Sequence, residues 1–201
     1  IKMKNDISAI GNALVDTVFK VEHSLISELG LEIDQMTLSS AEEHAPIIDR
    51  LISSGAETIS DCGGSATNSL VAAASFGAKC FHTCKVSDDQ DGLKYLKSLK
   101  DAGVGHKGNM APASNIPTGK CLILVTPDAK RTMTTALNVS SLMDDNDLDL
   151  HEIANSKIFY IEGYMVTSDE NYKATLHALN HLQNFPDVKI AFSLSDPGIV
   201  M

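Results

Sequence analysis

KIFYIEGYMVTSDENYKATLHALNHLQNFPDVKIAFSL, residues 157–194, is the stretch on which the fold turns. Lys157 to Ile161 is a continuous apolar run of strand length, Ser168 to Gln183 reads as a helix, and Val188 to Leu194 reads as a second buried strand. A strand, a helix and a strand at this spacing make a crossover between parallel strands. Such a crossover is right-handed, because a right-twisted strand feeding a helix packs back onto its sheet only that way. An α/β fold with a mostly parallel central sheet follows.

Working back toward the N-terminus, Ile7 to Ile10 reads as a short buried strand ending at Gly11, and Leu14 to Val21 as a more exposed one. Thr37 to Ser40 carries helix-start chemistry. The segment that follows, Ala41 to Ser53, sets Ile47, Ile48, Leu51 and Ile52 at helical spacing and stops at Gly55. After Thr58 to Cys62 and the pair Gly63-Gly64, Ala66 to Phe76 is a small-residue helix closed by Gly77. Lys79 to Val86 alternates as a strand, and Ser87-x-x-Gln90 resembles a capping box opening a helix from about Asp88 to Ala102. Thr118 to Val125 and Arg131 to Leu137 predict an antiparallel hairpin across Pro127-Asp128-Ala129-Lys130.

The charge balance narrows the partners. With 26 acidic and 16 basic side chains the net charge is −10, a field that repels phosphate backbones and anionic membranes, so neither nucleic acid nor membrane is expected as a partner. No apolar run approaches the ~20 residues of a membrane span, and Ile1 to Asp6 lacks the basic and apolar sequence of a leader, which points to the cytoplasm. Cys62, Cys80, Cys84 and Cys121 form no CxxC pair and read as reduced thiols. Cys80, His82 and Cys84 would share one strand face, but same-face neighbours roughly 6–7 Å apart converge poorly on a tetrahedral ion, so they read as core.

Two motifs fail on context. Gly103-x-Gly105-x-x-Gly108 matches a dinucleotide fingerprint but follows a helix instead of a strand, and it reads as a turn. Asp145, Asp147 and Asp149 have the first spacings of an EF-hand loop, but Leu150 and Ser156 stand where its glycine and glutamate belong. These acids read as a solvated helix start before Leu148 to Ala154. Three other places are more promising. Asn12 and Asp16 lie just past a strand's carboxyl end, where open α/β sheets bind ligands. Gly63 and Gly64 precede a helix, so unhindered N–H groups can approach a ligand oxygen while Asn68 points from the first turn. Glu162 ends an otherwise apolar strand, either as a site residue or as a solvated strand end.

Together these elements resemble the PfkB-type carbohydrate kinases, the family of ribokinase and adenosine kinase. The resemblance rests on the order Gly11-Asn12-x3-Asp16, Gly63-Gly64-x3-Asn68, Lys85-Val86-Ser87-Asp88-Asp89-x2-Gly92, Lys130-Arg131-Thr132-Met133 and Ile161-Glu162-Gly163. It spans essentially all 201 residues and is most specific from Gly63 to Gly77. It implies a ribokinase-like three-layer α/β/α domain over residues 1–201, with a mostly parallel central sheet and a small β lid from about 12–37 and 118–138. The Asn–Asp spacing looks like the adenosine-kinase-like branch, which leans the substrate toward a nucleoside. By resemblance, Asp16 accepts from two sugar hydroxyls, which suits an acceptor-only carboxylate. Gly64 donates its N–H and Asn68 bonds the same ribose, with Asn12, Gly63 and Glu162 in the same substrate-binding set. Arg131 closes over the transferring phosphate, as the one catalytic residue this chain would supply. The resemblance also implies ATP and Mg2+ as cofactors, and a homodimer if the lid's outer face is apolar.

The family's Asn-x-x-Glu and Gly-Ala-Gly-Asp motifs, which organise magnesium and supply the anion hole and catalytic aspartate, lie C-terminal in relatives and do not occur here. Phosphoryl transfer depends on positioning and charge neutralisation, so this chain alone is expected to be inactive. No helix follows the last strand to cover that side of the sheet, and the C-terminal part of the fold reads as missing. The expectation is the substrate-and-lid half of an ATP-dependent kinase phosphorylating a primary hydroxyl of a sugar or nucleoside. The alternative is a free-standing, non-catalytic sugar-binding or dimerisation module.

Overall fold

The computed structural model describes residues 4–112 and 116–200. Residues 1–3 of the segment read for a leader, and residues 113–115 and 201 of the expected domain, lie outside these. In chain order the strands are β1 (Asn5–Ile10), β2 (Leu14–Lys20), β3 (Met36–Leu38), β4 (Thr58–Gly63), β5 (Cys80–Thr83), β6 (Val86–Ser87), β7 (Val104–His106), β8 (Met110–Ala111), β9 (Gly119–Val125), β10 (Arg131–Ala136), β11 (Ser156–Ile161) and β12 (Lys189–Phe192). The helices are α1 (His23–Glu28), α2 (Ala41–Ser53), α3 (Ser65–Ser75), α4 (Gln90–Asp101), α5 (Leu150–Ala154), α6 (Asp169–Leu182) and α7 (Pro197–Val200).

The central sheet has the order β12-β11-β1-β5-β7, with every pairing parallel. Consecutive residues of β1 point to opposite faces, and both faces are covered. Ala9 packs with Ala66 and Leu70 of α3 and Tyr95 and Leu99 of α4, while Ile10 packs with Ile153 of α5 and Ala174, Ala178 and Leu182 of α6. The result is a three-layer α/β/α architecture. Across it stands a second five-stranded sheet, β3-β10-β9-β2-β4, of mixed direction. Phe19, Leu122 and Leu124 on its back pack against Leu25 and Ile26 of α1 and Leu51 of α2. The β9–β10 hairpin turns where expected, with Arg131 opposite Val125.

Several details differ from the sequence reading. The second sheet takes in β4 as well as strands from 12–37 and 118–138, because β4 runs antiparallel to β2 from Phe19↔Thr58 to Leu14↔Gly63 before the chain enters α3. The run from Lys79 to Val86 is not one alternating strand. It is buried continuously from Cys80 to Cys84, breaks after Thr83, and resumes as β6, paired with β8. The cap of α4 is Asp89, whose Oδ1 accepts from Gly92 N–H at 2.7 Å, so no box forms from Ser87. Gly103 and Gly108 turn with positive φ, but Gly105 lies within β7. Asp147 is buried against Lys85 at 2.8 Å instead of solvated. Ile190 and Phe192 of β12 are about half exposed within the described residues. Among the described strands β12 is last in the order of the central sheet, and α6 packs on the neighbouring β11. Among the described residues no helix is long and apolar enough to cross a membrane.

Candidate functional site

The carboxyl ends of β1 and β11, the start of α3 and the uncovered face of the second sheet enclose a cleft of about 180 Å³. Asn12, Asp16, Gly64, Asn68, Arg131 and Glu162 all line it, and Gly63 lies beneath the Asp16 carboxylate. The seven residues singled out from sequence therefore converge on one place. Their chemistry divides them into groups facing the cleft and groups holding its walls.

Asp16 faces the cleft. It sits mid-strand in β2, between Asp61 of β4 and Cys121 of β9. Among the described residues no hydrogen bond or ion pair reaches its carboxylate. Burial pushes its pKa up to about 6, with the Arg131 charge pulling it down and Asp61 pushing it further up. Asn68 is exposed on the first turn of α3, beside Gly64. Gly64 has φ +99°, and a side chain there would overlap the Asn12 carbonyl oxygen, so only glycine brings the backbone this close. Arg131 opens β10 on the exposed side, its guanidinium 3.9 Å from Met133 Sδ.

Glu162 and Asn12 hold walls. Glu162, only 1% exposed, is no solvated strand end. Its Oε2 accepts from Ala66 N–H of α3 at 2.9 Å, and its Oε1 accepts from Asn12 Nδ2 at 3.2 Å and Asn12 N–H at 3.4 Å. Burial raises its pKa against the pull of these donors. Asn12, equally buried, accepts on Oδ1 from Asn171 Nδ2 at 3.0 Å. Asn171 escaped the sequence reading, although a signal was present. It heads the buried stripe Asn171, Ala174, Ala178, Leu182 of α6, where an amide on an apolar face demands partners.

Beyond the polar end the cleft is apolar, with Met36, Leu38, Ile123, Met133 and Leu137 lining it together with Tyr164. Cys121 at its floor is a thiol pushed up to about 11 by burial. His82, read as core, is fully buried beneath α3, with Nε2 3.2 Å from Thr67 Oγ1, and burial drives its pKa down to about 4. Among the described residues no group of three or more His, Cys, Asp or Glu side chains is arranged to hold a metal ion. The acids of 144–149 serve as helix caps and as a partner for Lys85.

Residues 35–198 match the family described as pfkB family carbohydrate kinase. The chain is similar to a ribokinase from Dictyostelium discoideum, 28% identical over 119 residues, which is 58% of this chain and 36% of that protein. Among solved structures it is similar to adenosine kinase from Sinorhizobium meliloti, with a TM-score of 0.89 and 29% identity, covering 98% of this chain and 58% of the other. A probable sugar kinase from Rhizobium etli superposes with a TM-score of 0.91 at 25% identity, with the same coverage of both chains. The chain thus spans little more than half the length of these structures and about a third of that ribokinase.

Proposed function

The chain belongs to the pfkB family of carbohydrate kinases, and from that premise we propose that the complete protein transfers a phosphoryl group from ATP to a primary hydroxyl of a sugar or nucleoside, which binds in the cleft described above. The observation that carries this reading is Asp16, a half-buried carboxylate without a hydrogen-bonding partner among the described residues, lining the same cleft as Gly64 and Asn68. An acceptor-only group in that setting is completed by two hydroxyl donors of a sugar. The apolar lining beyond it, from Met36 to Met133, suits a flat base better than the hydroxyls of a free hexose, so the adenosine-kinase-like branch is favoured.

In this reading the second sheet is a lid over the acceptor, and Arg131 on its hairpin meets the charge of the transferring phosphate. ATP and Mg2+ enter as the family's cofactors, and no step here is assigned to them. The lid's outer face, expected to carry a dimer if apolar, is covered by α1 and α2, so the pairing with a second copy is proposed instead through the cleft-side face, which exposes Leu38 and Ile59. Titration calorimetry of the 201-residue chain with adenosine and with ribose tests the reading. Adenosine is expected to bind more tightly than ribose, with both lost in Asp16→Asn. Binding undiminished by that substitution would remove Asp16, and the reading with it.

A further inference from the structure

Asn171 lies on α6, outside both walls of the cleft, yet it is fully buried and fully used. Its Oδ1 accepts from Met143 N–H at 3.1 Å, and its Nδ2 donates to Ser140 O and to Asn12 Oδ1, each at 3.0 Å. The direction of this relay is set at both ends. At one end both Glu162 oxygens accept from backbone N–H groups, Oε2 from Ala66 and Oε1 from Asn12, and Asn12 turns its Nδ2 toward Oε1 and its Oδ1 away. At the other end Met143 offers a backbone N–H, so Asn171 must turn its oxygen there and its NH2 toward Ser140 and Asn12. Reversing any amide would bring two like groups together in a place water does not reach.

The relay's location gives it consequence. The chain first enters the second sheet through Asn12, between β1 and β2, and last leaves it after β10 through the 3-10 turn Asn138–Leu142, with an intervening exit from β4 and re-entry at β9. Both crossings meet at one side chain belonging to neither. Asn138, at φ +50°, extends the grip to the entry of β9 by donating Nδ2 to Thr118 O at 3.1 Å. Asp16 on β2 and Leu137 after β10 both line the cleft, and each lies a few residues from a segment Asn171 holds.

We propose that Asn171 is a positioning residue that clamps the first entry and the last exit of the second sheet to the central layer and so sets the shape of the cleft without touching what binds there. Its relevance to ligand binding rests on the acceptor-site reading above, while the clamp itself does not. Asn171→Asp keeps the acceptor for Met143 and replaces the donor toward Asn12 and Ser140 with a second acceptor. Asn171→Ser is a smaller alternative should that variant not fold. Ser156→Ala, which removes a buried hydroxyl bonded to Glu152 O, is the control for general destabilisation.

Amide hydrogen exchange of the ligand-free chain is the deciding measurement. Both Asn171 variants are expected to lose protection at least tenfold at residues 12–14 and at 139–143 together, while β1 and β11 keep theirs. The Ser156→Ala control should lose no protection selectively at those segments. Loss confined to α6, to one crossing only, or spread evenly over the molecule would overturn the clamp. Adenosine affinity is expected to fall at least tenfold in parallel, and unchanged affinity with both crossings loosened would overturn the positioning role. If the unaltered chain binds neither adenosine nor ribose, the acceptor reading falls, and the exchange result alone decides the clamp.

Discussion

Gly63 lies directly beneath the carboxylate of Asp16: a Cβ at position 63 would overlap the carboxyl carbon and both of its oxygens. The two residues sit diagonally across β2 and β4, in the register that pairs Leu14 with Gly63 and Asp16 with Asp61. The absence of a side chain on one strand is what allows the acid to lie over it. Gly63→Ala should therefore displace the carboxylate and weaken sugar or nucleoside binding at least tenfold, at a stability cost of about 1–3 kcal/mol from overpacking. Calorimetry and urea denaturation of the same variant check both numbers. Retained affinity would mean that Asp16 has room to move aside and still act.

The raised pKa of Asp16 makes a signed prediction about pH. The group titrates near 3.8 in the unfolded chain and near 6 in the folded one, so between those values the folded state holds the proton more tightly. Its contribution therefore makes the ligand-free protein lose stability as pH rises from about 4 to 6 and stay level above. Asp16→Asn should remove that slope and stabilise the ligand-free chain at pH 8 by on the order of 2 kcal/mol. Adenosine binding needs the carboxylate and should strengthen through pH 6 in the unaltered chain only. Denaturation midpoints and Kd measured from pH 5 to 8 test both directions.

Arg131 is exposed and acts on Asp16 through its charge, without direct contact. Arg131→Ala should leave stability within about 0.5 kcal/mol, as surface substitutions generally do, and should move the midpoint of pH-dependent binding upward. On the function proposed above, Arg131→Ala in the complete protein should lower kcat much more than it weakens sugar affinity, because the charge Arg131 is proposed to meet develops during transfer. Lysine should restore only part of kcat, lacking the planar fork. An unchanged kcat in the alanine variant would return Arg131 to the turn it follows.

Ile59 is 72% exposed on the cleft-side face of β4, in line with Val18 of β2 and Ile123 of β9. Sedimentation of the chain at micromolar concentration is expected to show a dimer, and Ile59→Lys a monomer with unchanged melting temperature. A monomer for both proteins would end the proposal that this face pairs with a second copy.

The parallel crossover of residues 157–194, the helix after Gly63-Gly64 and the 127–130 hairpin were legible because each is a local matter. Hydrophobic periodicity, a cap and a glycine at a turn act within a few residues and leave their mark in the order of the chain. The gathering of Asn12, Asp16, Gly64, Asn68, Arg131 and Glu162 was legible only through resemblance to a family, since nothing in the spacing itself brings residue 12 beside residue 162. Only the tertiary structure decided that β4 joins the second sheet, and that Glu162 and Asn12 hold walls while Asp16 faces the cleft. Strand neighbours and the partners of buried polar groups are chosen across separations of 100 residues and more. A carboxylate becomes a brace or an acceptor according to which donors the fold brings to it.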